Sequence, residues 1–203
     1  YNPGEITHAP TETIRGKMEI DGSVIEPVDE EQVRGIAREM TTEYGIKAFA
    51  VSGYGSTKNP AHEIQVKQMI RKETSLGVTC GHELSQMLNF QSRAATAVLN
   101  ARIVPYLENL IQDLQSAFAL KQINAPIMVV KGDGTLMSVE MARERPVETI
   151  FSGPAASVAG AKKLTGLSDA LVVDIGGTTT DSAFIKNGKV KLCSDGNIVT
   201  NAH

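Results

Sequence analysis

The chain of 203 residues predicts an α/β fold: a mixed sheet with flanking helices. Three observations carry that expectation. Short β-branched runs alternate with helical periodicity over most of the length. Three strand-like runs then follow one another near the C-terminal end, with turn residues between them. Just before them, Ala155, Ala156, Ala159, Gly160 and Ala161 give a helix small enough on one side to pack closely on a sheet.

In chain order, Thr13 to Ile20 alternates weakly, and Asp21-Gly22 followed by Val24-Ile25 reads as a hairpin. Asp29 caps a helix whose apolar stripe is Val33, Ile36, Ala37, Met40 and Tyr44, stopped by Gly45. Lys47 to Val51 is a short strand. Asn59 as N-cap and Pro60 in the first turn begin a helix to about Glu73. Val78 to Cys80 is a further strand. Gln91 to Gln122 is the longest periodic stretch, with Leu107, Leu110, Ile111, Leu114 and Phe118 at helical spacing. Pro105 should begin a second helix there or kink the first. Ile127 to Val130 is a buried strand, Lys131 to Gly134 a turn, and Ser138 the cap of a short helix ending before Pro146. Ser152 caps a helix from Pro154 to Leu164, ended by Gly166. Strands follow at Ala170–Asp174, Asp181–Lys186 and Lys189–Cys193, with Asn187-Gly188 as a tight turn.

Composition narrows the function. Hydrophobic content of 41%, charged content of 21% and a net charge of −3 describe an ordinary soluble protein. No basic block or basic-aromatic pattern supports nucleic-acid binding. No apolar run is long enough to cross a bilayer, and no signal sequence opens the chain. Cys80 and Cys193 are far apart and match no paired metal spacing, so they read as reduced core thiols of a cytoplasmic protein.

The most informative stretch is Leu-Val-Val-Asp-Ile-Gly-Gly-Thr-Thr-Thr-Asp, from Leu171 to Asp181. A buried strand ends in Asp174, then come Gly176-Gly177, Thr178, Thr179, Thr180 and Asp181. Glycines without Cβ let the backbone approach a bulky anion, and successive N–H groups can converge on phosphate oxygens. The threonine hydroxyls add short donors. Asp174 can hold Mg²⁺ or its water where a cation must offset phosphate charge. The plain alternative is a Gly-Gly hairpin with polar decoration, but the fixed order of acid, glycines, hydroxyls and acid favours an anion cradle.

Other candidates are weaker. Gly53-Tyr54-Gly55-Ser56-Thr57-Lys58 lacks a lysine directly after the second glycine, so it reads as a surface turn, not a phosphate loop. His62-Glu63 and His82-Glu83 open like zinc-protease motifs, yet Val66 and Gln86 stand where a second histidine is needed. His62 reads as a capping or packing residue. Arg93 begins a helix in polar company and carries a fork suited to carboxylate or phosphate, although exposed helix arginines are usually solvated. Asn100 lies two turns further on, either a buried structural amide or a substrate contact. Asp133 sits in a turn after a strand, where α/β proteins place ligand loops, though a structural turn is the simpler reading. Ser152 has no adjacent base and is read as a helix cap, not a nucleophile.

The hairpin resembles a phosphate element of the actin, Hsp70 and sugar-kinase ATPase superfamily. Ser152-Gly153-Pro154-Ala155, Asn59-Pro60-Ala61-His62-Glu63, Arg93 with Thr96, Asn100-Ala101, Pro105 and Arg145-Pro146-Val147 narrow the resemblance to the hydantoinase/oxoprolinase family, hydantoinase A-type chain. The turn at Lys131 departs from the family's Ser-Asn/Asp-Gly-Gly, so only Asp133 and Gly134 carry over.

The resemblance implies an actin-like (ribonuclease H-like) fold with incomplete lobes. Residues 1–150 would be the end of a first lobe and a family-specific region, and residues 151–203 the start of a second lobe with the phosphate hairpin. A first phosphate hairpin and an adenosine-contacting segment, which the family carries, are not found, so the chain reads as an internal fragment. The implied chemistry is an ATP-dependent amidohydrolase opening a cyclic amide of hydantoin or 5-oxoproline type through a phosphorylated intermediate, with ATP and Mg²⁺ as cofactors. Gly176, Gly177 and Thr178 to Thr180 would hold phosphate oxygens, Asp174 would orient Mg²⁺ or its water, and Asp181 would support the hairpin or that water shell. Implied partners are the remainder of the polypeptide, a hydantoinase B-type subunit and a small-molecule substrate. Alternatives are a ketone carboxylase subunit of acetone-carboxylase type and a non-catalytic, nucleotide-responsive scaffold.

Overall fold

The computed structural model describes residues 10–86 and 88–190, which fall into two compact units. One comprises the chain up to Ile127 together with Ser138–Val147; the other comprises Met128–Met137 and the chain from Glu148 onward.

The first unit begins with an antiparallel pair, β1 (Lys17–Met18) and β2 (Val24–Glu26). Its turn is set by Asp21, whose Oδ1 accepts from the Ser23 amide at 2.9 Å, and by Gly22 at φ 90°. Helix α1 (Glu30–Glu43) starts where Asp29 accepts from the Gln32 amide at 3.0 Å. Val33, Ala37 and Met40 are buried at the expected spacing, while Tyr44, expected to close the stripe, caps the helix and is exposed. Strands β3 (Ala48–Val51) and β4 (Gly77–Cys80) pair in parallel, with Val51 opposite Cys80 at their carboxyl ends. Helix α2 (Ala61–Thr74) is the crossover that a parallel pair requires. Phe49, Val66, Ile70 and Val78 join α1's buried residues in one core.

Asn59 is not the cap of α2. Pro60 holds that position without a side-chain bond; Asn59 instead donates to the Gly22 carbonyl at 2.8 Å and accepts from the Ala61 amide at 3.1 Å. Helix α3 (Gly81–Leu84) is a single turn. Helix α4 (Phe90–Leu120) runs unbroken past Pro105, so no second helix begins there. Its first half buries Arg93, Ala97, Asn100 and Ala101. Of the predicted stripe beyond Pro105, Ile111 is buried, whereas Leu110 and Leu114 are exposed because no described element covers them. Helix α5 (Val139–Glu144) is capped by Ser138, as expected, and a 3-10 turn follows at Pro146–Thr149.

In the second unit, β5 (Met128–Val130) pairs with β6 (Leu136–Ser138), a strand too short to carry a sequence signal. Gly132 between them is needed for contact: a Cβ there would lie 2.2 Å from the Ile150 carbonyl oxygen. Helix α6 (Ser152–Thr165) has Phe151 at its N-cap in the left-handed region, φ 61°, with no side-chain cap bond. Ser152 therefore lies inside the first turn and is not the cap. Gly166, φ 68°, ends the helix as expected. Strands β7 (Ala170–Ile175), β8 (Thr180–Lys186) and β9 (Lys189–Val190) form an antiparallel meander. Asn187 and Gly188, both at positive φ, make the tight β8–β9 turn. The rest of the expected last strand, with Cys193, lies outside the described residues.

Candidate functional site

The β7–β8 ladder places Asp174 directly opposite Asp181, and Ile175 opposite Thr180. Side chains alternate along β7: Val172 and Asp174 are half-buried, whereas Leu171, Val173 and Ile175 face outward. Both acids thus share the half-buried face with Ala183 and the buried Ile185. Two carboxylates opposite one another in a ladder have Cβ atoms about 4.5–5.5 Å apart and repel unless a cation lies between them.

The connecting turn, residues 176–179, is open, and every residue from Gly176 to Thr180 is exposed. The Gly176 amide donates to the Thr179 carbonyl at 2.9 Å. The amides of Gly177, Thr178 and Thr179 have no acceptor among the described residues. Neither glycine adopts a positive φ, so what they contribute is absence of bulk; nothing lies within 4 Å of a Cβ built on Gly177. The arrangement leaves these amides and the threonine hydroxyls open to solvent, next to the paired acids.

In the same unit, Asp133 is exposed and shapes its own turn. Its Oδ1 accepts from the Thr135 amide at 2.9 Å and hydroxyl at 2.6 Å, and Lys131 Nζ lies 3.3 Å from Oδ2. The Thr135 hydroxyl and amide, then Lys131, bring its carboxyl down to about 2.

Arg93 and Asn100 belong to the first unit and are fully buried. Arg93 Nη2 donates to the Gly53 carbonyl at 3.0 Å and the Tyr54 carbonyl at 3.1 Å. Asn100 Nδ2 donates to Thr79 Oγ1 and to the Glu144 carbonyl, both at 3.0 Å, and its Oδ1 accepts from the Val147 amide at 2.9 Å. Both side chains are turned inward onto the chain itself.

Glu63 and His82 form a contact that spacing did not reveal. Glu63, 2% exposed, accepts from the Gly53 amide at 2.6 Å and from the His82 amide at 3.0 Å, and its Oε2 is 2.5 Å from His82 Nδ1. The signal was present as paired His-Glu dipeptides, but they act across two elements and not along one helix. Cys80 completes a group whose ligand-type atoms all lie within 4.8 Å. Each member is already engaged: the Cys80 thiol donates to the Glu63 carbonyl at 3.5 Å and caps α3.

An acid-flanked Gly-Gly-Thr turn on an antiparallel meander, in an α/β chain, defines the class: an actin-like ATPase fold, present in part. The solved structure of the ATP-dependent caprolactamase from Pseudomonas jessenii superposes with a TM-score of 0.73 at 29% identity, over 88% of this chain and 28% of that one. The hydantoinase/oxoprolinase model matches residues 93–201 and the model of that family's N-terminal region matches residues 5–74, so the chain belongs to the hydantoinase/oxoprolinase family. Curated relatives include the caprolactamase alpha subunit of the same bacterium, 29% identical over 90% of this chain and 27% of its own. The acetophenone carboxylase gamma subunit of Aromatoleum aromaticum is 30% identical over 88% and 25%, and the 5-oxoprolinase of Saccharomyces cerevisiae 27% identical over 84% and 13%. The chain therefore spans about a quarter or less of the length of these relatives. Among the described residues no helix is long and apolar enough to cross a membrane.

Proposed function

We propose that the whole protein is an ATP-dependent amidohydrolase that opens a cyclic amide of hydantoin or 5-oxoproline type. The observation that carries this reading is the facing pair Asp174 and Asp181 beneath an open Gly-Gly-Thr turn. Two acids paired across the ladder beside an open Gly-Gly-Thr turn suit a place where Mg²⁺ and phosphate arrive together. The magnesium ion would neutralise phosphate charge; Asp174 would orient it or its water, with Asp181 in support. The amides of Gly176 and Gly177 and the hydroxyls of Thr178, Thr179 and Thr180 would hold the phosphate oxygens.

An amide is a poor electrophile. Transfer of the terminal phosphoryl group of ATP to its oxygen, with release of ADP, would make the ring carbon an electrophile to which water adds. The C–N bond then breaks with the nitrogen leaving as the protonated amine, and the acyl phosphate so formed is hydrolysed to carboxylate and phosphate. Arg93 and Asn100 serve at one remove, by fixing loops, whereas exposed, ionised Asp133 can meet substrate directly. That the relatives are alpha and gamma subunits supports a second subunit alongside the remainder of the polypeptide. The acetophenone carboxylase relative favours a second reading, ATP-dependent carboxylation of a ketone, in which the same cradle would activate an enolate oxygen.

The test is Asp174→Asn in the full-length protein. ATP turnover dependent on a lactam should fall at least a hundredfold with the thermal transition not lowered; near-normal turnover would remove the metal-orienting role. Turnover requiring ketone and bicarbonate in place of lactam would select the second reading. The 203-residue chain alone should show negligible Mg-ATP affinity by calorimetry, because one hairpin supplies part of a cradle.

A further inference from the structure

The loop leaving β3 sits at the carboxyl edge of the parallel pair β3–β4, where α/β proteins gather ligands. The carbonyls of Gly53, Tyr54 and Gly55 are occupied. Gly53 O accepts from Arg93 and from Ser56 Oγ at 2.8 Å, Tyr54 O from Arg93, and Gly55 O from the Lys58 and Asn59 amides at 3.0 and 3.1 Å. The Gly53 amide is given to Glu63. The consecutive amides of Tyr54 and Gly55 have no acceptor among the described residues. Gly55 is buried, and a Cβ there would lie 2.7 Å from the Glu19 carbonyl oxygen, so the loop can lie this close to the β1–β2 turn only with glycine. The backbone is therefore fixed from both sides with two adjacent donors unused, the arrangement of an anion nest.

Those residues line a cleft of about 220 Å³ that also includes Lys17, Ser56, His62 and Glu63. Lys17 and His62, the side chains of its wall able to carry positive charge, have no partner among the described residues. Its one carboxylate, Glu63, is committed to Gly53 and His82. The volume falls below the roughly 300–1,000 Å³ of drug-sized pockets, too small for a nucleotide and adequate for a small ion or its short carrier.

We propose that this cleft binds a small oxyanion on the Tyr54 and Gly55 amides, with Lys17 and His62 beside it. The oxyanion is either the carboxylate of a small molecule or inorganic phosphate. The site does not depend on ATP binding at the hairpin.

The amide NMR spectrum of this chain decides, titrated at constant ionic strength with 5-oxoproline, with 2-pyrrolidinone (the same ring without carboxylate) and with inorganic phosphate. A saturable shift of the Tyr54 and Gly55 resonances with either anion, and none with 2-pyrrolidinone, is expected. The anion that saturates at lower concentration names the source. Lys17→Gln with His62→Gln should weaken binding at least fivefold while other resonances stay in place. No saturable shift with either anion, an equal response to 2-pyrrolidinone, or unchanged affinity in the double variant overturns the proposal. Because no ATP is involved, failure here leaves the hairpin reading standing, and failure there leaves this one.

Discussion

Glu63 Oε2 lies 2.5 Å from His82 Nδ1, and through that contact the ends of β3 and β4 are tied together. His82 follows β4 on α3, whereas Glu63 rises from α2 and also grips the Gly53 amide just beyond β3. A carboxylate 1% exposed at its side chain is tolerable only with such donors around it.

Removing Glu63 leaves the Gly53 and His82 amides and the His82 ring without their partner, at about 1–3 kcal/mol for each buried group left unsatisfied. Glu63→Ala should therefore lower unfolding free energy by about 3 kcal/mol, measured by urea titration. His82→Ala should lose less, since Glu63 retains its two backbone donors. Equal, small losses in both variants would show that the pair is not what joins the strands.

Asn100 completes three hydrogen bonds to three different segments. Asn100→Ala leaves the Val147 amide and the Glu144 carbonyl without their partner, at about 1–3 kcal/mol for each buried group left unsatisfied. We expect a loss near 3 kcal/mol for Ala. Asp should lose nearly as much, because a carboxylate cannot donate to Glu144. Amide hydrogen exchange at Val147 checks the mechanism: it should accelerate in Ala and less in Asp, whose carboxylate oxygen can still accept from that amide.

Much of this architecture was legible because it is local. The Asp29 cap, the Val33–Ala37–Met40 stripe, the Asn187-Gly188 turn and the strand-turn-strand at Asp174 are each written within a few residues. What was missed depends on distant partners. Asn59 looked like a cap because its target, the Gly22 carbonyl, lies 37 residues away. Arg93 looked like a ligand fork because its carbonyl partners lie 39 and 40 residues upstream. Leu110 and Leu114 keep core spacing although no described element covers them. A periodic pattern reports which face is apolar and is silent on what packs there.

Cys80 offers a pH test. Burial first, then the nearby Glu83 and Glu63, push its thiol up to about 12 from an ordinary 9.0. The folded state thus retains a proton that the unfolded chain loses above about 9. Its contribution is complete below pH 9 and is lost as pH rises from about 9 towards about 12. Urea midpoints should fall more steeply between pH 8 and 10.5 in the parent than in Cys80→Ser, whose hydroxyl also suits the cap. Parallel decline in both would remove Cys80 from the alkaline limb. Alkylation of Cys80 by iodoacetamide at pH 8 should be slow until the chain is unfolded.

Asp181 links stability to the proposed metal role. Facing Asp174 across the ladder without a cation, it should destabilise the meander, since opposed like charges in a sheet cost about 0.2–1 kcal/mol. Asp181→Asn should therefore raise the stability of this chain by about 0.5 kcal/mol at low ionic strength, an effect screened by added NaCl. Mg²⁺ at matched ionic strength should raise the melting temperature of the parent and leave that of Asp181→Asn unchanged. The same substitution in the full-length protein should reduce ATP turnover. A variant less stable than the parent would mean that the two acids are held apart by bonds to their surroundings; a Mg²⁺ response equal in both would place the cation elsewhere.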